Sequence, residues 1–421
     1  ELSPLLSLGS PMESLTCLLS LSALLEPRPL GRRQAMGQAV LALSGSFGAV
    51  HPAYATPALD GYEPERAATA PAAGRSFFPP LTPPLSARAT YRYELGREAW
   101  ALEQLLTFAN VSATIRTIVV RMKDGGLWVD GPQYPTGEYC RLLDELGPVK
   151  HVVLPCSALE HKAPMAPFVK RYPKASVWVS PGQYGPFGKC GLDVESARMG
   201  YRVDGVFPVG APTHDSPMPP WADEFDFRTL YVDLPQNAGP VSETAFLHKA
   251  SNTLITTDSV VYVPDSPPPI FSSYFDAATL AEPYFWPKTV LQAVFLPLRE
   301  ALDLPVDSPD RWPGYAAVQG RLVRAPILRA FADARAPTEV REWVASIRQM
   351  GSFDRILTAH FASPIAAGPL DFENAFSYLK GPTSEPPIEC RDWELLDGLN
   401  RVISDNNLGA PVVYDFKQGC K

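Results

Sequence analysis

The sequence predicts an α/β (α+β) fold: two β-sheets packed face to face with helices outside, an αββα sandwich with long Pro-rich loops. Three observations predict it. Short runs rich in Val, Ile, Thr and Tyr, which favour strands, alternate with helix signals through the middle of the chain. Three of these runs, far apart in sequence, end in side chains able to hold a metal. Pro accounts for 46 of the 421 residues, about double its usual share, and crowds the connections.

The elements follow in order. Residues 99–108 read as a short helix. Residues 115–122 and 126–130 are strand-like, and Lys123-Asp124-Gly125-Gly126 between them signals a hairpin. Thr136 is placed to cap a helix that Gly147 ends. Strand 151–154, helix 164–172 and strand 175–180 come next. Residues 181–224, with many Gly and Pro, form a long excursion. Residues 225–232, 244–248 and 254–257 read as consecutive strands. Residues 264–336 are Pro- and aromatic-rich, with patches of helix that include 289–296. In 338–350, Val340, Val344 and Ile347 recur at helical spacing between a Thr cap and Gly351. Strand 353–357, helix 371–379 and a helix over 390–404 complete the chain. The expected units are 1–55 (targeting sequence), 56–111 (Pro-rich arm), 112–380 (sandwich) and 381–421 (helical extension).

A net charge of −8 with no Lys/Arg cluster argues against a nucleic-acid partner. In residues 1–55, Arg32-Arg33 precedes an apolar run that Ala53-Tyr54-Ala55 closes. That is a twin-arginine pattern with a small-x-small cleavage site. The apolar run is too short for a comfortable span, so no membrane span is expected in the mature chain. Cleavage after Ala55 leaves Cys140, Cys156, Cys190, Cys390 and Cys420. An odd count without close spacing is not a disulfide framework, and no zinc-finger spacing occurs.

The candidate site comes from the strand ends. Residues 152–155 run into Cys156 and then Glu160-His161; residues 253–257 end at Asp258; residues 355–358 end at His360. An acid closing an apolar run is costly to bury unless it is paired or bound to a cation. Taken singly, Glu160 and His161 read equally as a surface pair, Asp258 as a turn cap and His360 as a satisfied core histidine. Cys156 reads as a small buried hydrophobe or a thiolate ligand. His214 reads as a solvated loop histidine, and His248 as facing solvent or an acid. No serine-hydrolase, P-loop or GxGxxG pattern is present.

Several segments together resemble the metallo-β-lactamase-like superfamily, and within it a domain family of unknown function in plants, algae and cyanobacteria. They are RMKDGGL at 121–127, EHK at 160–162, YPKA at 172–175, AFLHK at 245–249 with residues 253–263, and AHF at 359–361. The superfamily carries an HxHxDH loop, a third His, a bridging Asp and a final His. By that resemblance Glu160 and His161 fall on the DH pair, Asp258 on the bridging Asp and His360 on the final His. Cys156 and Ala158 stand where the first two His belong, and His214 lies in the span of the third. The resemblance implies a lost first metal site and a second that can take one Zn, Fe or Mn ion. It implies a degenerate, noncatalytic binding or assembly protein with an unknown protein partner or small-molecule substrate. The alternative is a single-metal hydrolase that activates water against an ester, thioester or phosphoester. The leader resembles a bipartite presequence for the chloroplast thylakoid lumen; the alternative address is the bacterial periplasm.

Overall fold

The structure is a computed structural model describing residues 81–82, 88–108, 111–183, 201–234, 240–292, 296–383, 386–406, 409–418 and 420. Residues 1–55, expected as a targeting sequence, and most of the expected Pro-rich arm at 56–111 lie outside the described residues.

The first sheet has eight strands: β1 (Leu81–Thr82), β2 (Tyr91–Gly96), β3 (Ala99–Phe108), β4 (Val111–Arg121), β5 (Leu127–Asp130), β6 (Val149–Leu154), β7 (Ser176–Val179) and β8 (Gly205–Val206). Their order is β1-β3-β4-β5-β6-β7-β8, with β2 also on β3. The second sheet begins with β9 (Phe225–Val232), β10 (Val241–His248) and β11 (Thr253–Ile255). A separate ribbon pairs β12 (Val260–Tyr262) with β13 (Leu322–Arg324), and β14 (Arg355–Leu357) completes the second sheet in the order β14-β11-β10-β9.

Strand alternation assigns the layers. Ile118, Val120, Trp128, Val153 and Trp178 point from the first sheet into a shared core with Phe225, Phe227, Phe246, Ile255 and Leu357 of the second. Trp128 anchors that core, stacked on Phe225 at 4.5 Å and edge-on to Phe246 at 5.2 Å. Each such pair adds about 0.5–1.5 kcal/mol beyond the area buried. The intervening Val119, Val129, Val152 and Val177 face outward. There they meet Tyr139 and Leu143 of α1 (Gly137–Asp144) and Phe168 of α3 (Met165–Arg171), which flank the short helix α2 (Leu159–Lys162). Beyond the second sheet, Leu230, Leu247, Leu254 and Ile356 pack on Val340, Trp343 and Ile347 of α4 (Pro337–Arg348) and Phe372 of α5 (Pro369–Asn374). The αββα layering is therefore present.

Four expectations need correction. Residues 99–108 form strand β3, paired with β4 over its whole length. Their Ala, Leu, Glu and Gln are good helix formers, but burial on both faces and ten residues of pairing override propensity. Helix α4 starts one residue early, with Pro337 in its first turn and Ala336 rather than Thr338 at the cap. His248 is buried, its Nδ1 2.7 Å from Ser251 Oγ and its ring against Phe225. Cys390, just before α6 (Glu394–Asp405), forms a disulfide with Cys420. Among the described residues no helix is long and apolar enough to cross a membrane.

Candidate metal centre

Strands β11 and β14 run parallel, with Ile255 opposite Leu357. Asp258 and His360 each lie three residues beyond that pair, so parallel register alone delivers both to one rim. The loop after β6 in the other sheet reaches the same rim because it is stitched to β10. Ser157 N–H donates to Ser242 O at 3.0 Å, and Cys156 bridges Glu243. Helix α2 starts there and carries Glu160 and His161.

One ligand atom from each of Glu160, His161, Asp258 and His360 lies within 4.8 Å of the other three. His360 Nε2 is 3.0 Å from Asp258 Oδ1, and His161 Nε2 is 3.6 Å from the same oxygen. The two Nε2 atoms are 3.4 Å apart. Both imidazoles are fully buried, Asp258 is 5% exposed, and Glu160 is half-buried. His360 Nδ1 is 2.6 Å from Thr114 O; a carbonyl only accepts, so Nδ1 carries the proton and a neutral ring turns its Nε2 lone pair inward. Asp258 Oδ1 and His161 Nδ1 are buried with no hydrogen-bond partner. Gly131, at φ +56°, makes room for the second ring: a Cβ there would come within 3.3 Å of His161 Nδ1.

Electrostatics bind the group together. Burial raises the Asp258 carboxyl's pKa, but His161 and His360 outweigh this and hold it below its ordinary value. Burial likewise lowers that of His161, and Asp258, with Glu160 and Asp130 behind it, reverses the sign to a net rise. Asp130 is pushed well above the carboxylate range by burial. Glu243 is raised by burial and by Asp258, against the hydrogen bonds it accepts.

Neighbours that the sequence did not single out hold the loops. Glu243 accepts Thr257 N–H at 2.8 Å, Asp258 N–H at 3.3 Å and the Ser259 hydroxyl. Arg324, paired to Asp333 at 2.7 Å, donates to Ser259 O at 3.0 Å. Arg116 of β4 donates to Thr358 O and Phe361 O on either side of His360.

Two weaker candidates stay outside the group. Cys156 is not among the converging donors, and burial, with the Asp258, Glu243 and Glu160 charges, pushes its thiol well above its ordinary value. His214 is fully exposed beside Asp215 at 3.1 Å. Ala158 offers no donor and serves only as the cap residue of α2.

An αββα sandwich with two imidazoles and two carboxylates converging at one rim defines a candidate cation-binding protein. Within that class, the chain belongs to the family described as a domain of unknown function (DUF4336), whose model matches residues 97–290 and 308–378. No curated protein sequence matches it. Among solved structures it is similar to the metal-soaked Flv1 flavodiiron core from Synechocystis sp. PCC6803, at 10% identity and TM-score 0.40 over 70% of this chain. The chain spans 61% of that protein's length. It is also similar to the metallo-β-lactamase FIM-1 from Pseudomonas aeruginosa in its mono-zinc form, at 7% identity and TM-score 0.37, over 69% of this chain and 95% of that one. A metallo-β-lactamase from Pontibacter korlensis gives 11% identity and TM-score 0.33, over 69% and 99%.

Proposed function

We propose that the chain is a degenerate metallo-β-lactamase-like protein that holds one Zn, Fe or Mn ion between Glu160, His161, Asp258 and His360 and acts by binding or assembly rather than by turnover. The observation that carries the cation is the convergence of four donors, with the Asp258 Oδ1 orphaned and the His360 Nε2 lone pair turned toward it. The donor set suits these ions. A bound cation supplies Lewis acidity and takes up the charge of two carboxylates.

The noncatalytic reading is supported by burial. Both imidazoles are sealed and Asp258 nearly so, and none of the four lines the cavity of about 460 Å³ by Lys170 and Tyr201 or the one of about 300 Å³ beside the centre, which Arg116 and Phe361 line. Cys156 and Ala158 also provide no second set of donors. The half-buried Glu160 is the observation that favours the other reading, a single-metal hydrolase, since it leaves one side of the group less enclosed.

Metal analysis of the purified chain tests the cation. About one equivalent is expected, lost in Asp258→Ala and His360→Ala; substoichiometric metal unchanged by either substitution rejects it. Turnover of an ester, thioester or phosphoester by the loaded protein, abolished by His360→Ala, would replace the binding role by the hydrolase. For location we propose the thylakoid lumen, on the twin-arginine pattern at Arg32 and Arg33. A reporter fused behind residues 1–55 that stays outside the lumen, or that ignores Arg32→Lys/Arg33→Lys, rejects this.

A further inference from the structure

We propose that the buried Arg116–Glu103 pair is a positioning element for His360, fixing which ring nitrogen faces the centre. The inference deepens the cation reading and rests on it for its affinity arm alone. Glu103 and Arg116 sit directly opposite each other on β3 and β4, both buried, with Arg116 Nε 2.5 Å from the carboxylate. One side of the guanidinium is thereby locked. The other side donates to Thr358 O at 3.2 Å and to Phe361 O, the two carbonyls that bracket His360.

The bracketed loop is not one that a free chain would keep. Phe361 has φ +54°, a left-handed conformation that a residue with a Cβ leaves when nothing holds it. Thr114 supplies the second hold. Its Oγ1 accepts Phe361 N–H at 2.8 Å, and its carbonyl accepts His360 Nδ1–H at 2.6 Å. Thr114 and Arg116 are alternate residues of one strand and face the same side. One strand therefore grips the loop before, at and after His360. While the ring stays against that carbonyl, the tautomer with its proton on Nε2 would set lone pair against lone pair. The Nε2 lone pair is thus committed to Asp258 and His161. If the loop relaxes, that commitment is lost.

The test uses the full chain. Glu103→Leu/Arg116→Met removes both charges together, so no unpaired ion is left buried and a folded chain is expected. The first readout is long-range ¹H–¹⁵N correlation NMR of the metal-free protein at alkaline pH, with His360 assigned through His360→Gln. The wild type is expected to show the Nδ1–H tautomer, and the double variant a mixture. The second is zinc titration, with affinity expected to fall about 10–100-fold and Arg116→Lys to be intermediate. A folded double variant whose His360 keeps the wild-type tautomer overturns the proposal. Should that variant not fold, Arg116→Lys, which keeps the buried charge pair but cannot reach Glu103 and both loop carbonyls together, decides: an unchanged tautomer and unchanged zinc affinity overturn the proposal, and a shifted tautomer ratio or weaker zinc binding supports it. A wild type that takes up neither zinc, iron nor manganese rejects the cation reading, while the tautomer measurement still judges the clamp.

Discussion

His360 Nε2 stands 3.0 Å from Asp258 Oδ1, yet that oxygen receives no hydrogen bond. Because the other ring nitrogen of His360 donates to Thr114 O, a neutral imidazole and the ionised Asp258 present lone pairs to each other. The contact becomes favourable only when a proton or a cation lies between them.

Cation binding should therefore add stability by mass action. A ligand that binds only the folded chain contributes about 2.7 kcal/mol at a hundred times its dissociation constant. Zinc should raise the Tm of the wild type, chelation should reverse the rise, and Asp258→Asn should show neither. A zinc-dependent shift surviving in Asp258→Asn would place the ion elsewhere.

The metal-free centre should have a signed pH profile. The pKa of His161 is raised in the folded chain, so its stabilisation is complete below the unfolded value of about 6.5 and is lost as pH rises through the folded one. That of Asp258 is lowered, so its stabilisation is present above about 3.9 and is lost as pH falls through the folded value. The stability difference between wild type and Asp258→Asn should be largest between about pH 4 and 6.5 and shrink as pH rises above that through the folded value of His161. Zinc affinity should rise over that upper interval, because the cation displaces the proton. Urea midpoints at several pH values measure the first effect; a difference that stays flat from pH 5.5 to 8.5 would contradict it.

The rim of the centre was legible because Glu160-His161, Asp258 and His360 each interrupt or close an apolar run, where a polar group needs a partner. Its support was not. Glu103 and Arg116 oppose each other across the β3–β4 pair, a relationship visible from register. Reading 99–108 as a helix, on the strength of its Ala, Leu and Glu, hid it. The available signal was Glu103, the one charged residue of β3. Glu243 meets the Asp258 loop, and Arg324 holds Ser259, across long sequence separations. Such contacts are set by the packing of whole layers and leave no local pattern.

Gly131→Ala should damage the chain twice over. A Cβ at φ +56° costs about 1–2 kcal/mol, and this one would also press on His161 Nδ1 at 3.3 Å. The expected result is a fall in the urea midpoint together with weaker zinc binding. Gly131→Ala at wild-type zinc affinity would show that the ring of His161 has room to spare.

The Cys390–Cys420 disulfide closes a separation of 30 residues. Restricting an unfolded loop of that size contributes about 3–4 kcal/mol on the chain-entropy account. The segment is also held without the link: Phe416 is buried against Trp393 at 5.3 Å, Arg335 Nε donates to Ala410 O at 2.8 Å, the Val413 and Tyr414 N–H groups donate to Ala334 O, and the Tyr414 hydroxyl donates to Tyr378 O at 2.6 Å. Arg329 Nε anchors the same turn through Phe416 O at 2.5 Å. Cys390→Ala/Cys420→Ala should therefore lose about 2–4 kcal/mol by urea unfolding and become sensitive to protease between residues 409 and 418. Equal midpoints for the oxidised wild type and the double variant would mean that Phe416 and the hydrogen bonds to Arg329, Arg335, Ala334 and Tyr378 hold the segment without the covalent link.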